Sequence, residues 1–294
     1  MQQGRILKGI GGFYYVECGS EVYECRARGI FRKRGITPLT GDWVRIEILD
    51  EILKKGNLKE ILPRSSLLNR PKVANVDSVL IVFASKKPKP DLGLLDRFIV
   101  LAEEQHLDIT VVINKIDLDL EGGYKDILRL YSNAGYNAIG VSAVTGQGVE
   151  ELKQAVLGRI SVLAGPSGVG KSSIVMNLNP KMILQTGDVS RKTERGKHTT
   201  RHAELMEIFP NSYIMDSPGF TSLSLAHIDP KKLTYYFREF HQFIDGCRFS
   251  GCTHINEPDC CVQAQVGKMV DERRYRRYVA LYSEIAEERK HRYD

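Results

Sequence analysis

No apolar run in this 294-residue chain reaches the roughly 18 to 20 residues needed to span a bilayer. Nor does the opening stretch, MQQGRILKGI, hold the continuous apolar h-region of a secretory signal. These absences predict a soluble, cytoplasmic protein with no membrane partner. Without export, the six cysteines are thiols or metal ligands rather than a disulfide framework. Net charge is also missing from most of the chain. Residues 1–74 carry 14 Lys and Arg against 8 Asp and Glu, and the remainder balances at 28 against 28, so the whole excess of +6 lies in the first quarter. Such a surplus is either a solvated surface or a surface for a polyanion.

What is present divides into three segments. Over residues 1–66, RILKGI, FYYVEC, EVYECRARG, DWVRIEI and LKEILPR alternate apolar and polar positions. In DWVRIEI, Val44, Ile46 and Ile48 share one face while Arg45 and Glu47 share the other, as a half-buried strand requires. Five such stretches without a helical period predict an all-β, OB-like barrel of RNA-binding type. Arg28, Arg32, Lys33 and Arg34 would form a basic loop at its mouth. Across residues 67–228, buried-strand runs such as VDSVLIVFAS, ITVVINK and ISVLAG alternate with helical patterns such as DLGLLDRFIVLAEEQ and GVEELKQAVLG. This predicts an α/β domain with a parallel sheet, binding its ligand at the carboxyl ends of the strands. Residues 229–294 are expected to form a small, helical, zinc-binding C-terminal domain.

The middle segment carries the chemistry. GPSGVGKSS completes the G-x-x-x-x-G-K-[ST] spacing of a phosphate loop. Gly165, Pro166, Ser167, Gly168, Val169 and Gly170 form the loop, whose N–H groups and following helix N-terminus bind phosphate oxygens. Lys171 reaches the outer phosphates as a catalytic cation, Ser172 ligates Mg²⁺, and Ser173 ends the motif. ITVVINK runs into Asn114, Lys115, Ile116 and Asp117, an N-K-x-D. A carboxylate at Asp117 can accept from guanine N1–H and its exocyclic amino group, donors adenine does not offer there, which predicts GTP over ATP. Asn114 would brace neighbouring loops, Lys115 would lie along the base, and Ser142 and Ala143 would present N–H groups to guanine O6. Downstream, NSYIMDSPGF ends in a D-x-x-G: Asp216 would hold Mg²⁺ through water and the Gly219 N–H would sense a γ-phosphate. In the polar segment between, Thr200, or in second place Thr199, would supply the other Mg²⁺ hydroxyl, ordering the segment on GTP.

All five guanine-nucleotide motifs are present in displaced order, base recognition first and phosphate loop afterwards. A circular permutation accounts for this. The Gln that often follows D-x-x-G is missing too: Phe220 stands there and cannot orient water. His198 is either an exposed loop histidine or the substitute that does. Near the C-terminus, CRFSGCTHINEPDCC sets out Cys247, Cys252, His254 and Cys260 as ligands for a closed, structural Zn²⁺ shell, with adjacent Cys261 able to exchange roles with Cys260. The following DERRYRRYVALYSEIAEERK reads as a helix, with Arg273, Arg274, Arg276 and Arg277 either solvated or available to RNA phosphates.

The order of NKID, GPSGVGKSS, GKHTTRH and DSPGF resembles the circularly permuted bacterial GTPases that assist late maturation of the small ribosomal subunit, the RsgA or YjeQ type. The resemblance spans nearly the whole chain. It implies an OB-fold, a permuted GTPase domain and a zinc domain, with Mg²⁺-dependent hydrolysis of GTP to GDP stimulated by the 30S subunit and contact with its 16S rRNA. It further implies a hydrolytic role for His198 and selects Cys260 over Cys261 as the fourth zinc ligand. A monomer is expected. The alternatives are a GTP sensor for another RNA or protein that uses hydrolysis as a timer, and a zinc-containing RNA-binding protein with a merely structural nucleotide site. Intact Lys171, Ser172 and Asp216 oppose the last.

Overall fold

The computed structural model describes residues 1–27, 29, 31, 35–69, 72–179, 204–216 and 224–290. Arg28, Arg32, Lys33 and Arg34 therefore lie outside the described residues, as do His198, Thr199, Thr200, Gly219 and Phe220. The described residues of Met1–Val79, Val149–Ala164 and Lys171–Thr221 make one compact unit, and those of Leu80–Gly148, Gly165–Gly170 and Ser222–Asp294 make a second.

In the first unit, β1 (Gln2–Ile10), β2 (Phe13–Cys18), β3 (Glu21–Ala27), β4 (Trp43–Asp50) and β5 (Lys55–Ile61) close a barrel in the order β1-β2-β3-β5-β4. Its alternating strands turn Ile6, Val16, Cys18, Cys25, Val44, Ile46 and Leu58 inward, and Phe31 joins them. The final strand starts at Lys55, earlier than the apolar pattern suggests. Lys-Gly-Asn reads as a turn, yet it pairs in parallel with β3 and antiparallel with β4. A short hairpin, β6 (Leu67–Asn69) with β7 (Lys72–Ala74), follows the barrel and has no periodicity long enough to register in the sequence.

The α/β part comprises β8 (Ser78–Ala84), α1 (Leu92–Glu104), β9 (Asp108–Asn114), α2 (Tyr124–Asn133), β10 (Asn137–Gly140), α3 (Val149–Val156), β11 (Ile160–Ala164), α4 (Lys171–Leu178), β12 (Met206–Phe209) and β13 (Ser212–Asp216). In the second unit the strands run in the order β10-β9-β8, and in the first β11-β13-β12. Pairs β9–β10 and β11–β13 are parallel, while β12 adds an antiparallel edge. All seven residues of β8 are buried, the reason it reads as an unbroken apolar run. Asp91 caps α1 by accepting from the Leu94 N–H at 3.0 Å, and Leu95, Phe98, Ile99 and Ala102 fill its inner face.

In the second unit, 3-10 turns at Pro230–Tyr236 and Arg238–Phe240 lead to the C-terminal helix α5 (Glu272–Lys290). Phe237, Phe240, Tyr278, Leu281 and Ile285 pack into one core there. Among the described residues no helix is long and apolar enough to cross a membrane.

Candidate functional site

The chain reverses at the end of β9 with Lys115 at φ +60°, a left-handed conformation that non-glycine residues adopt at a cost. Surrounding bonds hold it. The Ser85 hydroxyl donates to Lys115 O at 2.7 Å, and Lys115 Nζ donates to Lys87 O at 2.5 Å and Gly168 O at 2.6 Å. Asn114 braces two loops, as its position in the sequence suggests. Its Nδ2 donates to Val169 O at 2.8 Å, and its Oδ1 accepts from the Ala143 N–H at 3.2 Å. Ile116 is buried. The Ser142 hydroxyl donates to Asp117 Oδ1 at 2.6 Å, fixing the carboxylate expected to read the base. One expectation changes. The Ser142 N–H goes to Gln147 O and the Ala143 N–H to Asn114, so both amides assigned to guanine O6 have protein acceptors here.

The phosphate loop is shaped by close approach. A Cβ at Gly165, where φ is +131°, would fall 2.1 Å from Val82 O; one at Gly170, where φ is +93°, would fall 2.4 Å from Asn114 Nδ2. Only glycine fits either position. Val169 is buried, whereas Ser167 and Gly168 are exposed, leaving the backbone of the loop open to a ligand. Pro166, just before them, is half-buried. Lys171, Ser172 and Ser173 form the first turn of α4, anchored by buried Ile174, Val175 and Leu178. A cradle of amides before a helix N-terminus suits the phosphates of a nucleotide and, at the Ser172 hydroxyl, the Mg²⁺ that accompanies them. In the first unit, β13 runs parallel to β11 and ends at Asp216, in register with Leu163.

Ser85 and Lys87 are positioning residues that the sequence reading passes over. The signal was a polar stretch, SKKPKPD, directly after the buried strand β8, where such a fold keeps its ligand loops.

Cys247, Cys252, His254 and Cys260 bring one ligand atom each within 4.8 Å of one another. Zinc with bonds of about 2.3 Å to sulfur and about 2.0 Å to nitrogen gives tetrahedral edges of about 3.8 and about 3.5 Å. The observed edges match: Cys247 Sγ to Cys260 Sγ is 3.9 Å, Cys247 Sγ to His254 Nδ1 is 3.6 Å, and His254 Nδ1 to Cys260 Sγ is 3.3 Å. Cys261 is outside the group, its thiol donating to Gly246 O at 2.9 Å. His254 has φ +60°, and the Tyr275 hydroxyl holds its carbonyl at 2.7 Å. Glu257 ties the intervening loop together. Burial alone would raise its carboxyl, but the Thr253 hydroxyl and the N–H groups of Thr253 and Ile255 outweigh that and hold it at about 2.

In the helix after the cluster, Arg273 and Arg276 are exposed, as the solvated reading expects, whereas Arg274 and Arg277 depart from both readings. Arg274 is 1% exposed, pairing with Asp96 at 2.6 Å and Glu239 at 2.5 Å and facing the rings of Tyr131, Tyr136 and Phe237. Arg277 also pairs with Asp96, and Tyr278 is fully buried. Arg274 and Tyr278 belong to the core and Arg277 is partly buried at its edge, while Arg276 faces solvent.

A phosphate loop that follows the base-recognition loops in the chain, between a five-stranded barrel and a Cys₃His group, defines a circularly permuted P-loop GTPase whose C-terminal module carries four residues that could hold a metal ion. Comparison with known proteins agrees. The family described as RsgA GTPase matches residues 61–226, and RsgA N-terminal domain matches residues 3–53. The small ribosomal subunit biogenesis GTPase RsgA of Ruminiclostridium cellulolyticum is 47% identical over 97% of this chain and 94% of its own. That of Caldanaerobacter subterraneus subsp. tengcongensis is 46% identical over 99% and 98%. The crystal structure of YjeQ from Thermotoga maritima superimposes with a TM-score of 0.83 at 35% identity, covering 97% of this chain and 98% of that one. The chain belongs to the RsgA GTPase family and is a GTP-hydrolysing enzyme.

Proposed function

We propose that this GTPase acts in the biogenesis of the small ribosomal subunit, in the cytoplasm and as a monomer, and that the 30S subunit with its 16S rRNA stimulates hydrolysis. The observation that carries the reading is near full-length identity to relatives named for that task. Three domains divide the work in this reading: residues 1–66 bind RNA, 67–228 bind and hydrolyse GTP, and 229–294 present the zinc module.

Guanine is selected by Asp117, oriented by Ser142, with Lys115 along the base and Asn114 holding the loops together. Residues 165–170 direct N–H groups at the phosphates, and Lys171 stabilises charge developing on the transferred phosphoryl group. Ser172 and Thr200 would hold Mg²⁺ directly and Asp216 through water. Once bound, Mg²⁺ neutralises phosphate charge. Gly219 senses the γ-phosphate, and His198 orients the attacking water in place of the missing Gln. Cys247, Cys252, His254 and Cys260 would hold Zn²⁺, which would cross-link the loop that precedes α5 in the chain.

Co-sedimentation with isolated 30S and 50S subunits in GTP, GDP and a nonhydrolysable analogue tests the partner, with preference for 30S expected. Equal binding to both would remove the reading. Single-turnover hydrolysis by His198→Ala tests the mechanism: stimulation by 30S is lost while GTP still binds. An unchanged stimulated rate would release His198 from the role.

A further inference from the structure

In chain order, the hairpin β12–β13 lies between the segment holding Thr200 and the D-x-x-G, and its register slips between Glu207 and Phe209. The hairpin and the residues leading into it are bonded to the barrel. At the approach to β12, the Leu205 N–H donates to Leu7 O at 2.9 Å, and Lys8 pairs with Glu204 both through the backbone and through its ammonium at 2.7 Å. On β13, Tyr213 is 3% exposed and its hydroxyl donates to the Glu17 carboxylate. The Arg5 guanidinium lies 5.0 Å from the Tyr213 ring and 4.3 Å from the Trp43 ring.

Apolar contact would suffice if the barrel merely needed a place to rest. This contact instead places charges of both signs against one tyrosine, Glu17 at its hydroxyl and Arg5 over its ring. Burial raises the Glu17 carboxyl and lowers Arg5, so each depends on its neighbours for compensation. Successive residues of a strand point to opposite faces, so a slip of β13 by one residue would replace Tyr213 with Ile214 and orphan both Glu17 and Arg5. The cluster therefore distinguishes registers of the strand that ends, three residues later, at Asp216.

We propose that the Arg5–Glu17–Trp43–Tyr213 cluster couples the nucleotide state at the carboxyl end of β13 to the barrel, with Tyr213 as the positioning residue. A displacement of β12–β13 on exchange of GDP for GTP is felt at Arg5, Glu17 and Trp43, and a ligand held by the barrel biases the hairpin by the same coupling free energy. The coupling goes beyond the biogenesis role and rests only on the nucleotide site.

Trp43 is the single tryptophan of the chain, so its fluorescence reports the cluster directly. The full-length protein is titrated with labelled GDP and a labelled nonhydrolysable GTP analogue in Mg²⁺, and Trp43 emission is recorded in each complex. Emission should differ between the two states in the unaltered protein. In Tyr213→Phe, which keeps the ring and loses the hydroxyl, that difference should fall about five-fold, and the ratio of the two dissociation constants should move by a similar factor. A contact that only stabilises the fold would lower Tm and leave both the ratio and the difference unchanged, which overturns the proposal. Identical Trp43 emission in both complexes of the unaltered protein overturns it as well. Should Tyr213→Phe fail to fold, Glu17→Gln, which keeps an acceptor and removes the charge, is read by the same two criteria. Ribosomal subunits play no part in these measurements, so lack of 30S preference defeats the biogenesis reading alone. Failure of either nucleotide to bind defeats the nucleotide site and this coupling together.

Discussion

The barrel and the C-terminal module both close small cores, by opposite means. Inside the barrel, Ile6, Val16, Val44, Ile46 and Leu58 meet two thiols, and burial pushes Cys18 up to about 11 and Cys25 up to about 12, so neither carries charge. Inside the C-terminal module, Phe237, Phe240 and Tyr278 share the interior with a Cys₃His group and a buried guanidinium bound to two carboxylates. An apolar core losing one contact keeps the rest and gains a cavity. In a core of ligands and charges, each group removed leaves another unsatisfied. The two regions should therefore separate when metal, charge or packing is removed one at a time.

Metal removal should separate them most. Zinc bound to such a ligand set contributes on the order of 10 kcal/mol, and that binding energy is folding energy. Cys252→Ser, or chelation of the native chain, should abolish protection of amides in α5 from hydrogen exchange and leave those of β1 to β5 protected. Equal loss in both regions would end the distinction. Arg274→Ala comes next. It strands Asp96 on α1 and Glu239 at 0% and 3% side-chain exposure, at a cost of about 3–5 kcal/mol, and should lower the transition of the second unit while leaving that of the barrel in place in a thermal scan. The reverse experiment is Leu58→Ala, which opens a cavity in the barrel for about 2–5 kcal/mol and should lower the barrel's transition to the same extent with or without chelator.

Sequence made one of these regions far plainer than the other, for physical reasons. The barrel and sheet consist of strands whose apolar period is local, so FYYVEC, DWVRIEI and VDSVLIVFAS each announce themselves. The loops of the proposed nucleotide site were equally legible, because close backbone approach requires Gly165 and Gly170 at fixed spacing and the N-K-x-D ends at Asp117, which Ser142 holds. Hidden from view were features made by distant partners. Arg274 binds Asp96 across 178 residues of sequence and Glu239 across 35, and nothing adjacent marks it as buried. Its place did carry a signal: Arg274, Tyr278, Leu281 and Ile285 recur at helical spacing, so the arginine lies in the apolar stripe. β12 escaped because four residues at an antiparallel edge show no period of their own.

The smallest expected effect lies at the rim of the same helix and sharpens the comparison with Arg274. Arg273 is about half exposed, bonding Asp271 at 3.0 Å and Asp126 at 2.5 Å. It is the leading cause holding both carboxyls below the usual carboxylate range, with Arg129 assisting at Asp126. A depressed carboxylate contributes stability that is complete above its unfolded value near 4, and that is lost as pH falls through the lower folded value. Solvent screening keeps the total below about 1 kcal/mol. Arg273→Ala should therefore lower the Tm of the zinc-loaded protein by no more than a few degrees at pH 7, and the gap should close as the pH approaches 3. Raising salt at pH 7 should narrow it too, because exposed pairs are screened. Arg274→Ala, one residue along, should keep its deficit in salt. If both variants respond alike, burial is not what separates the two arginines.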